Sequence, residues 1–252
     1  MTGIERWKGK TALVTGASTG IGYAIAVGLL EAGVNVIGCA RNPTPLEALN
    51  GKLPENAGKV TPVRSDLTKE GDILKLFTEI GNRMGHVDIL INNAGTGVLG
   101  NLVDGETKGW QTMFNLNVLA TTICTREYLK LMERDGIEEG HIININSIAG
   151  HANTPVNIGL NFYAGTKHMI TALTKALTTE LAAKKSKIRV TSLSPGMVNT
   201  PLVAEMKKDS NSGHFFQSGN GLEAKDVADA ALYVLSTPSH VTVSELTIVP
   251  GN

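Results

Sequence analysis

Short apolar runs alternate with segments of helical periodicity along most of the chain. Residues 11–15, Thr-Ala-Leu-Val-Thr, are apolar and β-rich with turn residues behind them, the pattern of a strand buried on both faces. A helical pattern follows at 23–32. The pairing then recurs: a strand at 33–41, a short helix within 43–58, an edge-proximal strand at 60–65 and an amphipathic helix at 73–84. Next come a strand at 88–91, a long helical pattern at 110–131 with Asn115 and Asn117 inside it, and a strand at 141–146. A helix opens at Tyr163, a strand at 188–194 is stopped by Pro195-Gly196, and a helix at 223–235 precedes a last strand at 245–249. Residues 202–221 are polar and rich in Gly and Ser without a clear period, which reads as a mobile loop or short helices able to act as a lid. With no linker, repeat or low-complexity stretch, the pattern predicts one doubly wound, Rossmann-type α/β domain over residues 1–252, with about seven parallel strands and helices on both faces.

Composition narrows the function classes. Lys plus Arg and Asp plus Glu both total 23 in 252 residues, so no basic footprint for nucleic acid or an anionic membrane is expected. Cys39 and Cys124 form neither a disulfide framework nor a metal-ligand spacing, which suits a reducing, cytoplasmic setting; no metal site is expected. No run is apolar for long enough to span a membrane, and the polar start does not resemble a signal peptide.

Two stretches carry chemistry. The first is Gly16-Ala17-Ser18-Thr19-Gly20-Ile21-Gly22, between the first strand and the first helix. Glycines there allow a tight turn and close approach of a pyrophosphate to a helix N-terminus. The spacing Gly-x-x-x-Gly-x-Gly is a variant of the commoner dinucleotide fingerprint. At the end of the second strand position 40 is Ala where an acid would bind a ribose hydroxyl, and Arg41 follows; a guanidinium suits a 2′-phosphate, so NADP(H) is the expected cofactor. Asp66 could meet an adenine amino group or cap the next helix. Asn92-Asn93-Ala94-Gly95 closes the fourth strand with small residues beside which a flat ring fits; it could also be a plain turn.

The second stretch runs from Ser147 to Lys167. Tyr163 and Lys167 share a helix face at i,i+4. An ammonium beside a phenol favours the phenolate, and a hydroxyl, a phenol and an ammonium together can hold a carbonyl oxygen and exchange a proton with it. Asn is a poor residue inside a helix, so Asn117 marks a kink or a water site.

The set Thr15-Gly16-x-x-x-Gly20-x-Gly22, Asn92-Asn93-Ala94-Gly95, Asn117, Ser147, Tyr163-x-x-x-Lys167 and Pro195-Gly196 resembles, in order and near spacing, the classical short-chain dehydrogenase/reductases over nearly the whole chain. Smaller stretches, Gly38-Cys39-Ala40-Arg41 and Gly150-His151 among them, resemble an animal branch whose members interconvert alcohols and ketones with NADP, steroids and isoprenoid alcohols included. The resemblance implies Tyr163 as general acid or base, Lys167 as the group that lowers its pKa and binds the nicotinamide ribose, Ser147 as holder of the substrate oxygen, and Asn117 as anchor of a relay water. It further implies Gly16, Ser18, Thr19, Gly20 and Ile21 around the pyrophosphate, Arg41 and Asn42 at the 2′-phosphate, Asp66 and Leu67 at adenine, and Asn93, Ala94 and Gly95 near the adjoining ribose. Pro195, Gly196, Val198 and Thr200 fall beside the nicotinamide. A small-molecule alcohol or carbonyl is the implied partner, and a homodimer or homotetramer built on the helices from Trp110 and Tyr163 the implied assembly. Thr19 stands where some NADP-using members carry a base, so Arg41 bears the cofactor choice. A non-catalytic NADP-binding sensor or scaffold on the same fold is the alternative.

Overall fold

The computed structural model describes residues 3–152, 159–207 and 221–251. A parallel sheet of seven strands forms its centre. In chain order these are β1 (Thr11–Thr15), β2 (Asn35–Ala40), β3 (Val60–Arg64), β4 (Ile89–Asn92), β5 (Glu139–Ile145), β6 (Lys187–Pro195) and, after a two-strand pairing of β7 (Val198–Asn199) with β8 (Leu222–Glu223), β9 (Glu245–Ile248). The sheet order is β3-β2-β1-β4-β5-β6-β9. The chain moves outward from β1 to β3, returns to lay β4 on the other side of β1, and continues outward. A crevice opens where that direction reverses, at the carboxyl ends of β1 and β4.

The helices are α1 (Gly20–Glu31), α2 (Thr44–Glu47), α3 (Glu70–Met84), α4 (Thr107–Met113), α5 (Ala120–Arg134), α6 (Asn161–Ala183), α7 (Pro201–Lys207) and α8 (Ala224–Ser236). Alternation along the strands divides the core between two faces. Ala12 and Val14 of β1 join Ile89 and Ile91 of β4 in a cluster with α1 and α8. Leu13 and Leu90 face the other way, into a cluster with α3 and α5. Near-continuous apolar strands are what a sheet covered on both faces requires. The edge strand β3 holds Pro62, which has no N–H to give a second neighbour.

The predicted elements are found within a few residues of their expected ends, with three differences. The long helical pattern begins at Thr107 and is interrupted by a π-helical turn, Phe114–Leu119, which holds both Asn115 and Asn117. Residues 202–207 belong to α7 rather than to a loop; the rest of the expected lid, 208–220, lies outside the described residues. Asp66 does not cap α3, whose N-cap is Lys69 without a side-chain bond. Its Oδ1 accepts instead from Thr68 N (3.2 Å) and Thr68 Oγ1 (2.7 Å), a local turn. Among the described residues no helix is long and apolar enough to cross a membrane.

The amino ends of β5 and β6 carry a buried polar cluster remote from the crevice. Thr191 Oγ1 donates to Val243 O at 2.7 Å. The contact of His141 Nε2 with that hydroxyl (2.8 Å) therefore has the ring donating, which leaves Nδ1 unprotonated. Arg189 lies beside it, its Nη1 donating to Thr237 Oγ1 (2.9 Å) and Val241 O (2.7 Å). Burial first, then the Arg189 and Arg6 charges, pushes the His141 pKa down to about 3.

Candidate active site

The glycine turn after β1 is built around Thr15 and Asn93. Thr15 Oγ1 donates to Ile91 O (3.2 Å) and accepts from the N–H groups of Asn93 (2.9 Å) and Ala94 (3.0 Å). Asn93 Nδ2 donates to Thr15 O (2.8 Å) and Gly16 O (3.2 Å), which ties the turn to the end of β4. This packing explains two glycines. A Cβ on Gly22 would lie 2.3 Å from Asn93 Nδ2 and 2.5 Å from Gly16 O; Gly16 has φ +65° and would press on the Ala94 backbone at 3.0 Å. The N-cap of α1, Thr19, makes no side-chain bond to the first turn, so those N–H groups face the crevice without a side-chain acceptor. A cradle too tight for a Cβ, backed by an uncapped helix start, fits a pyrophosphate.

One cavity of about 540 Å³ runs along the carboxyl ends of the strands. Every residue that the sequence assigned to the site lines it, except Asn42 and Asn117. Arg41, exposed at the end of β2, stands at one end with Asp66 and Leu67. Ser147, Tyr163 and Lys167 line the cavity farther along, as do Pro195, Gly196, Val198 and Thr200. Asn42 instead accepts from Thr44 N through Oδ1 (3.2 Å), at the start of α2.

Each catalytic candidate is fixed by its neighbours. Ser147, two residues past the end of β5, has its Oγ accepting from Ala149 N (3.1 Å), which caps the 3-10 turn Ile148–Gly150. Its hydroxyl is near enough to the Tyr163 phenol to favour the phenolate. Lys167 is buried, donates from Nζ to Ile145 O (2.9 Å) and lies 5.7 Å from the centre of the Tyr163 ring. The expected lowering of the phenol by this lysine is not what this environment produces. Desolvation outweighs the influence of the Ser147 hydroxyl and pushes the Tyr163 pKa up to about 12; desolvation also brings Lys167 down to about 8. Tyr163 is therefore a phenol at neutral pH, placed to give a proton.

Asn117 works behind the wall. Its Nδ2 donates to Thr96 O (2.9 Å) and Thr166 Oγ1 (3.0 Å), and its Oδ1 accepts from Thr96 N (2.8 Å). Thr166 Oγ1 in turn donates to Tyr163 O (2.7 Å). Both amide hydrogens are thus committed to a clamp that joins the loop after β4, the π turn and the first turn of α6. Sequence reasoning passed over Thr166, although its place between Tyr163 and Lys167 puts it three residues along the same helix. It also left Thr15 without a role, and its position directly before Gly16 was the available signal.

A protein-family model described as short chain dehydrogenase matches residues 10–211. Dehydrogenase/reductase SDR family member 11 of Homo sapiens is 42% identical over 252 residues, covering 98% of this chain and 96% of the relative. The farnesol dehydrogenase of Aedes aegypti is 39% identical, covering 98% of each. Among solved structures, the closed form of a serine dehydrogenase complexed with NADP+ has a TM-score of 0.84 at 29% identity, covering 95% of this chain and 94% of that one. A metagenomic short-chain oxidoreductase in complex with NADP has a TM-score of 0.79 at 27% identity, covering 98% and 99%. With the glycine cradle, the Ser147–Tyr163–Lys167 wall and the seven-stranded parallel sheet, these likenesses make the chain a short-chain dehydrogenase/reductase, an oxidoreductase of that family.

Proposed function

We propose that this chain is an NADP(H)-dependent alcohol dehydrogenase or carbonyl reductase acting on an apolar substrate of isoprenoid or steroid type. The observation that carries the reading is the gathering of Ser147, Tyr163 and Lys167 in the wall of one cavity, the Lys167 ammonium 5.7 Å from the centre of the phenol ring, with Arg41 lining the same cavity. Arg41 makes no ion pair among the described residues, so its fork is free for a phosphate. The similarity to NADP-complexed structures and to a farnesol dehydrogenase supports the cofactor and the substrate class.

A nicotinamide held there supplies or takes up the hydride. Ser147 and Tyr163 would hold the substrate oxygen, and Tyr163 would pass it a proton during reduction. Lys167, cationic below its pKa of about 8, stabilises the negative charge that then develops on the phenol oxygen. Asn117 and Thr166 keep the Tyr163 turn in place.

The reading extends to a cytoplasmic homodimer or homotetramer. Leu119, Met169 and Leu173 are exposed on the π turn and α6, the helices expected at the interface. Sedimentation at micromolar concentration tests the assembly, and a monomer counts against it. For the chemistry, Tyr163→Phe is expected to abolish turnover of a carbonyl panel with NADPH while leaving NADPH binding. Arg41→Ala is expected to weaken NADPH more than NADH, by about tenfold or more for a lost charge-assisted contact. Undiminished turnover in Tyr163→Phe would overturn the assignment.

A further inference from the structure

The cavity changes character along its length. Among the described residues its charged lining is Arg41, Asp66 and Lys167, at the ends of β2 and β3 and on the catalytic wall. Around Tyr163 the lining includes an apolar group: Leu160, Met197, Val203 and Met206 pack with Leu99 and the Tyr163 ring into a small cluster of their own. Met206, on α7, is the residue of that cluster that reaches back toward the catalytic phenol. A Cβ built on Gly97 would lie 2.1 Å from Met206 Cε and 3.6 Å from Tyr163 Cδ2. The Met206 methyl therefore occupies the notch left by the missing side chain at 97, beside the ring that serves the substrate oxygen. Gly97 is not at a positive φ, so the notch, and not backbone conformation, is what a larger residue there would disturb.

We propose that Met206, seated in the Gly97 notch, is the specificity-determining stop of the substrate end, setting how bulky a carbonyl can approach Tyr163. The inference rests on the alcohol–carbonyl reading above. Because the thioether has three rotatable bonds, the stop yields to substrates of different shape without moving the backbone. The same flexibility fixes the direction of two substitutions. Met206→Ala opens the end of the cavity. Gly97→Ala drives the methyl out of its notch and into the cavity, since the atom it meets is the free tip of a side chain and not main chain. The two changes act in opposite directions, and the second acts only through the first residue.

The test compares kcat/KM with NADPH for a fused-ring ketone, 2-decalone, and a small one, 2-butanone. Met206→Ala is expected to raise the bulky-to-small ratio about tenfold, the effect of a methylene or two of pocket space, and Gly97→Ala to lower it by a similar factor. In Gly97→Ala/Met206→Ala the substitution at 97 should change the ratio by less than about twofold relative to Met206→Ala alone, because no methyl remains to be displaced. A ratio unmoved by Met206→Ala, or an effect of Gly97→Ala that persists in the double variant, overturns the inference while leaving the function intact. Wild-type protein that reduces neither ketone overturns the alcohol–carbonyl reading and this inference with it. If Gly97→Ala does not fold, Met206→Ala decides the matter alone.

Discussion

Lowering the pH from 7 to 5 is expected to cost this fold about 2 kcal/mol through His141 alone. The ring is fully buried on β5, donates from Nε2 to Thr191, and has Arg189 and Arg6 as its charged neighbours, so that its pKa falls to about 3 from an ordinary 6.5. The unfolded chain takes up a proton on this residue as the pH drops through 6.5, whereas the folded chain does not until about 3. The stabilisation is therefore complete above 6.5 and is lost progressively below it. At pH 5 the unfolded ring is about 97% protonated, and the 1.5 pH units below its pKa correspond to about 2 kcal/mol at about 1.36 kcal/mol per unit. That is a sizeable part of a total of about 5–15 kcal/mol. Urea unfolding at pH 7, 6 and 5, followed by the fluorescence of Trp7 and Trp110, reads the effect. His141→Gln keeps an amide donor for Thr191 and has no proton to gain. Its stability should fall less than wild type over the same range by about 2 kcal/mol, since all other titrating groups are common to both. Parallel pH dependences in the two proteins would refute the reasoning.

Three further outcomes follow from the site. Gly22→Ala places a methyl against Asn93 Nδ2 and Gly16 O and should shift the turn, weakening NADPH about tenfold or more in a fluorescence titration; unchanged affinity would show that the cradle gives way freely. Thr166→Val removes the acceptor that Asn117 Nδ2 uses, with an expected stability loss of about 1–3 kcal/mol in thermal unfolding and a lower kcat, and an unchanged kcat would separate the clamp from Tyr163. NADPH-linked reduction should hold steady from neutrality to about pH 8 and then decline as Lys167 loses its charge, so a rate that rises through that range in steady-state assays would count against its role.

What the sequence revealed depended on how local the cause was. Strands β1 and β4 are largely apolar runs whose burial on both faces leaves a direct trace in composition, and the glycine turn is specified by contacts within the turn and with Asn93. Asn117 was visible as a misfit inside a helix, but its consequence was not: a π turn rather than a kink, with a side chain bonded to Thr96 and Thr166. Those partners are 21 and 49 residues away, and periodicity carries no information at that range. Asp66 shows the reverse case, where its own turn with Thr68, two residues on, took the bond that a helix cap would have used. The ionisation of Tyr163 and Lys167 was out of reach because it depends on how much protein surrounds them, which i,i+4 spacing does not encode.

The reversal of sheet order at β1 also dictates when this protein can begin to work as it is made. The first four strands carry the Gly16 and Arg41 side of the crevice, the glycine turn being braced by Asn93 after β4. The opposing wall needs β5 and α6, and the far end needs α7, from well beyond the midpoint of the chain. Every neighbouring pair in the main sheet is parallel and must wait for an intervening crossover, so the native contacts are distant in sequence. Such a topology folds slowly for its size. An incomplete chain could thus present a phosphate cradle long before it possessed a proton donor.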